Sequence, residues 1–110
     1  MSTQEWSEEI IMVDLTDDPE LSDELNALAE RLAKKPKDVV LNFAKVKFLN
    51  SSNISRLLKL RKIVLDQKHR LCLCHIAIQV WGVFLLTGLD AIFDVAEDTA
   101  TALASLQLNP

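Results

Sequence analysis

Two cysteines, Cys72 and Cys74, stand two residues apart with His75 directly behind them, and His69 lies just upstream. Thiolates and imidazoles are the usual ligands of a structural zinc site, which takes four of them. The run LCLCHI reads as a strand, and alternate residues of a strand share a face. Cys72 and Cys74 are then neighbours, His75 points away, and only His69 is left to complete a set. Buried, reduced thiols account for the pair, so neither a metal nor any other cofactor is expected. The only glycines are Gly82 and Gly88, from which no phosphate loop or dinucleotide fingerprint can be assembled. No Gly-x-Ser-x-Gly elbow occurs, both histidines are remote in sequence from any serine, and no pair of acids is embedded in apolar sequence. No catalytic residue is assigned, and the chain reads as a non-enzyme.

The segment Asn50-Ser51-Ser52-Asn53 holds more promise. It joins an extended apolar stretch to an amphipathic helix with Arg56, Lys59 and Lys62 on its outer side. A helix N-terminus presents unpaired N–H groups and the positive end of a dipole. A phosphate on Ser51 or Ser52 would bring about −1.5 to −2 charges to that point, with Arg56 a turn away. Two serines at a helix start also serve simply as caps.

The elements that must position these residues follow from periodicity. Glu9 to Leu15 reads as a strand. Asp18 and Pro19 then open a helix whose Leu21, Leu25, Leu28, Ala29 and Leu32 form one stripe, and Pro36 ends it. Asp38 to Phe43 is a strand apolar enough for burial on both faces, and Ala44 to Leu49 is an extended connection. Helical spacing runs from Ile54 to about Gln67, with Ile54, Leu57, Leu58, Arg61 and Val64 or Leu65 on one side. Leu71 to Ile76 is a core strand, and Gln79 to Leu86 a helix closed by Thr87 and Gly88, the latter as a left-handed cap. Trp81 and Phe84 of that helix are expected in the core, whereas Trp6 lies outside every predicted element. Leu89 to Val95 holds a turn and a short strand. A closing helix spans Ala96 to Leu106, with Ala100, Leu103, Ala104 and Leu106 available for burial. Strands alternating with helices imply a largely parallel sheet covered by helices.

The 110 residues form one domain, with 49% hydrophobic and 25% charged residues. The first thirty residues carry ten acids and no Lys or Arg, and all twelve basic residues lie between Arg31 and Arg70. A net charge of −4 argues against general nucleic-acid binding. The longest apolar tract, Ile76 to Leu86, is interrupted by Gln79 and too short to cross a bilayer. No membrane insertion is expected, and with no secretory leader in MSTQEWSEEI a cytoplasmic location is read.

The stretch DVVLNFAKVKFLNSSNIS (Asp38–Ser55) resembles the signature of STAS domains, the family of bacterial anti-sigma factor antagonists. There a strand ends in a hydrophobic-Asp-Ser-Ser/Thr-Gly-hydrophobic turn that leads into a helix. LLTGLDAIFDVAEDTATAL (Leu85–Leu103) is similar to the family's Gly-Leu and Phe tail and closing helix. The resemblance, spanning about Glu9 to Leu106, implies an α/β fold with a four- to five-stranded mixed sheet flanked by helices. It also implies a regulatory protein-binding domain controlled by serine phosphorylation, whose partner is an anti-sigma factor or a serine kinase of that type. By position Ser51 matches the phosphoryl acceptor, with Ser52 as second choice. Asn50, Ser51, Ser52, Asn53, Ile54, Arg56 and Leu57 match the partner-binding segment. Asn50 stands where the family has Asp and Asn53 where it has Gly, and Asn53 tolerates the positive φ a glycine would supply. The alternative is a non-phosphorylated scaffold, or the small cytoplasmic subunit of a lipid transporter.

Overall fold

A computed structural model describes residues 2–108. Strand β1 (Ser2–Glu5) pairs antiparallel with β2 (Ile10–Thr16). The Ser7 hydroxyl accepts the amides of Glu9 and Ile10 (both 3.2 Å) and fixes the hairpin turn. Trp6, without an assignment from sequence, sits in that turn and is half exposed. Helix α1 (Glu20–Lys34) buries the predicted stripe, Leu21, Leu25, Leu28, Ala29 and Leu32. Asp18 caps it from outside by accepting the Ser22 amide (2.9 Å), so regular helix begins at Glu20, one residue after Pro19.

Strand β3 (Asp38–Lys45) lies parallel to β2 and to β4 (Leu71–Cys74), and β4 lies parallel to β5 (Asp94–Ala96). The sheet order β1-β2-β3-β4-β5 is thus mixed and five-stranded, as the resemblance implied. Helices α2 (Ser51–Asp66) and α3 (Ile78–Thr87) follow β3 and β4, a 3-10 turn spans Leu89–Ala91, and α4 (Thr99–Leu108) closes the fold. Alternate strand residues go to opposite faces. Ile11, Val13, Leu15, Val39, Leu41, Phe43, Leu71 and Leu73 pack beneath α1, α2 and α3. Ile10, Val40, Cys72 and Cys74 pack against Ala102, Leu103 and Leu106 of α4.

Several elements differ from the sequence expectation. β4 stops at Cys74 because His75 turns to φ 56°, where its amide donates to the Glu97 carbonyl (3.2 Å). Ala96 belongs to β5, and α4 starts later because Asp98 caps it, accepting the Thr101 amide at 2.7 Å. Ala102 takes the buried position expected of Ala100 and Ala104, both exposed. Leu60 is fully buried on α2, whereas Leu58 and Leu65 are exposed, so the stripe lies along Leu57, Leu60 and Val64. Gly88 takes the left-handed cap at φ 76°. Phe84 is fully buried, and Trp81 lies at the margin of the core.

Candidate functional site

Adjacent parallel strands place the loops at their carboxyl ends side by side, and the loops after β2 and β3 meet here. Past β3, Val46 is fully buried and its amide donates to the Phe43 carbonyl (2.9 Å). Asp17, from the β2–α1 loop, then accepts the amides of Lys47 and Phe48 (2.8 and 3.2 Å). The chain is led in this way to Asn50, whose extended backbone (φ −104°, ψ 173°) makes it the N-cap of α2.

Asn50 and Asn53 form a reciprocal capping box. The Asn50 side-chain oxygen accepts the Asn53 amide (2.8 Å), and the Asn53 side-chain oxygen accepts the Asn50 amide (3.0 Å). Each side-chain NH2 group has a further partner in Asp18, since both donate to its Oδ2 at 3.0 Å. Asn53 Nδ2 also donates to the Ser22 hydroxyl (3.0 Å), which in turn donates to Asp18 Oδ1 (2.8 Å). Asn50, where the STAS pattern carries Asp, thus donates to a carboxylate from across the loop, Asp18.

These donors favour the charged carboxylate, the Ser22 hydroxyl most, then the Asn53 side chain, and hold Asp18 down at a pKa of about 2 against an ordinary 3.8. A lowered folded pKa contributes stability above the ordinary value, lost as pH falls from about 4 towards 2. Urea midpoints measured at pH 7 and pH 3 are expected to fall further for the unmodified chain than for Asp18→Asn. Equal losses would mean that the network does not hold the charge.

Ser51 and Ser52 occupy the first turn of α2 and are exposed, as is Asn50. The amides at these positions have no acceptor within the helix. The Ser52 hydroxyl is held by Arg56 Nη1, which also donates to the Ser52 carbonyl (3.4 Å). The Ser51 hydroxyl makes no hydrogen bond among the described residues. Phe48, 74% exposed, stands two residues before the cap and adds an apolar surface to the corner.

The structure brings Asn50, Ser51, Ser52, Ile54 and Arg56 to the surface or its margin, but Asn53 and Leu57 are buried. These two hold the helix start instead of facing a partner. Asn53 does not take a positive φ, because the helix begins at Ser51 and makes it a helical residue. Asp18 and Ser22 were not singled out as site residues. Their signal in the sequence was the Asp-Pro at the end of a strand next in line to β3.

The thiols follow the strand spacing and share the α4 face. Burial foremost, then the Asp94 charge, pushes Cys72 up to about 11, and burial raises Cys74 as well, so both are protonated and poor nucleophiles. His69 lies at the opposite end of β4, its Nδ1 2.9 Å from Asp38 Oδ1. Among the described residues no three His, Cys, Asp or Glu side chains converge as metal ligands. No helix among them is long and apolar enough to cross a membrane.

A search of curated protein sequences finds no match. Solved structures give the fold. An anti-sigma-factor antagonist (STAS) domain protein from Planctomyces limnophilus is 16% identical, with a TM-score of 0.81 over 96% of this chain and 97% of that one. A sulfate transporter family protein from Wolinella succinogenes is 18% identical, with a TM-score of 0.74 over 91% and 84%. The Bacillus cell fate determinant SpoIIAA in its phosphorylated form is 16% identical, with a TM-score of 0.67 over 88% and 91%. The family profile described as STAS domain matches residues 9–102, across every element from β2 to the first turn of α4. The chain belongs to the STAS domain family.

Proposed function

We propose that this domain is an anti-sigma factor antagonist whose partner binding is switched by phosphorylation of Ser51. The observation that carries this reading is the exposed Ser51 hydroxyl, without a hydrogen bond among the described residues, at the first position of α2, beside a cap that is already satisfied. Ser52, although exposed, has its hydroxyl occupied by Arg56. The unmodified corner offers Asn50, Ser51, Ile54, Arg56 and the Phe48 ring to an anti-sigma factor. A phosphate would place about two negative charges among them and disrupt that fit. The structure of phosphorylated SpoIIAA supports the reading by fold alone.

Incubation with an anti-sigma-type serine kinase and ATP is expected to yield one phosphopeptide covering residues 48–56, absent in Ser51→Ala. Phosphate confined to another peptide would overturn the assignment. Ser51→Asp is expected to weaken binding of the same partner while leaving Tm nearly unchanged, since the cap of α2 is Asn50 and not this serine. A large loss of Tm would give Ser51 a structural role.

A second reading keeps the fold without phosphoryl transfer, as a scaffold or a transporter's cytoplasmic subunit. It is favoured by the two asparagines that replace the family's Asp and Gly and by the sulfate transporter family structure of the same fold. Pull-down with the unmodified domain distinguishes the two, by recovery of a transporter ATPase or of an anti-sigma factor.

A further inference from the structure

The carboxyl ends of β3, β4 and β5 open onto a recess of about 770 Å³, separate from the serine corner. Its volume is that of small-molecule sites, and it lies beyond the carboxyl ends of three parallel strands. Ile76, Ala77, Trp81 and Val95 give it an apolar lining, and its polar side chains are His75 and Glu97. Two features hold it in shape. His75, at φ 56°, ties the end of β4 to the β5–α4 link through its amide bond to the Glu97 carbonyl. Trp81 stacks on buried Phe84 at 5.9 Å and 21°, which roots the indole in the core.

Glu97 is the one carboxylate among the residues that line the recess. The Glu97 side chain makes no ion pair or hydrogen bond among the described residues, and no Lys or Arg lines the space. The neighbouring Asp98 is engaged as the cap of α4. The Trp81 indole N–H likewise donates to no described residue. An unpaired carboxylate beside an aromatic ring and aliphatic walls matches a positively charged head on an apolar body, because the head gains a charge-assisted hydrogen bond while the body covers apolar surface.

We propose that this recess binds a small organic cation of the arylalkyl-ammonium class, its apolar body against Trp81, Ile76 and Val95 and its ammonium group on Glu97. The site is independent of the serine switch. The probe is 2-phenylethylammonium, titrated into the full ¹⁵N-labelled chain and followed by amide and indole NMR shifts. The controls are 2-phenylethanol and 3-phenylpropionate, which keep the ring but change the charge. Saturable shifts are expected at Ile76, Ala77, Ala96 and the Trp81 indole, with the cation binding about tenfold more tightly than the alcohol. Glu97→Gln, an exposed substitution whose folding the same spectra verify, is expected to remove most of that tenfold preference while leaving alcohol binding unchanged. Absence of saturable shifts, or equal binding of cation and alcohol, would overturn the proposal. Tighter binding of the carboxylate would overturn it too.

Discussion

Asn53→Ala is expected to destabilise the domain by about 2 kcal/mol, read as a Tm lower by roughly 10 °C. The side chain is 2% exposed and takes part in three hydrogen bonds: it accepts from Asn50 N and donates to Asp18 and to Ser22. Alanine strands the Asn50 amide and removes half of the capping box that starts α2. Because Ser51 and Ser52 are the next residues on that scaffold, the same variant is expected to reduce phosphorylation at the corner more than its stability loss explains at a temperature where it remains folded. Asn53→Asp tests the electrostatic part. It sets a second carboxylate against Asp18 Oδ2, so its defect relative to the unmodified chain should be larger at pH 7 than at pH 3. A defect identical at both pH values would show that charge has no part in the contact.

The larger effect is expected from Phe84→Ala, about 3–5 kcal/mol. Phe84 is fully buried and meets three rings: Phe43 edge-on at 6.5 Å, Trp81 stacked, and Phe93 tilted at 6.0 Å. It is the joint at which α3 is bound to the sheet and to the 3-10 turn. A domain of this size has some 5–15 kcal/mol in total, so this variant should approach the limit of folding. Phe84→Leu, which keeps most of the volume, should cost about 1 kcal/mol. Denaturant midpoints for the two variants provide the check. A loss below 1 kcal/mol for the alanine variant would mean that α3 contributes little to the core.

Helix α1 was readable in the sequence because five apolar residues repeat at helical spacing between an Asp-Pro start and a Pro stop, and burial confirms all five. β3 and the Gly88 cap were readable for similarly local reasons. β1 was not: Ser-Thr-Gln-Glu has no apolar alternation, and it joins the sheet through its backbone as an edge strand. The true stripe of α2 was blurred by Leu57, Leu58, Leu60 and Leu65 lying so close that two faces look apolar, and only packing selects Leu57 and Leu60. Asn-Ser-Ser-Asn read as a turn by local preference, whereas the reciprocal asparagine bonds make its last three residues helical. Of the site itself, Ser51 was found by motif. Its supports Asp18 and Ser22, more than twenty residues away in sequence, became visible only once β2 and β3 were side by side.

The corner keeps its shape with uncharged donors around two carboxylates, Asp17 and Asp18, not with pairs of opposite charges. Dissolved ions screen exposed charge pairs far more than they screen short hydrogen bonds from neutral donors to a carboxylate. Concentrated salt should therefore leave the geometry around Ser51 intact while loosening any partner that relies on Arg56 or Lys59. A binding series across ionic strength would then report how much of recognition is contour and how much is attraction.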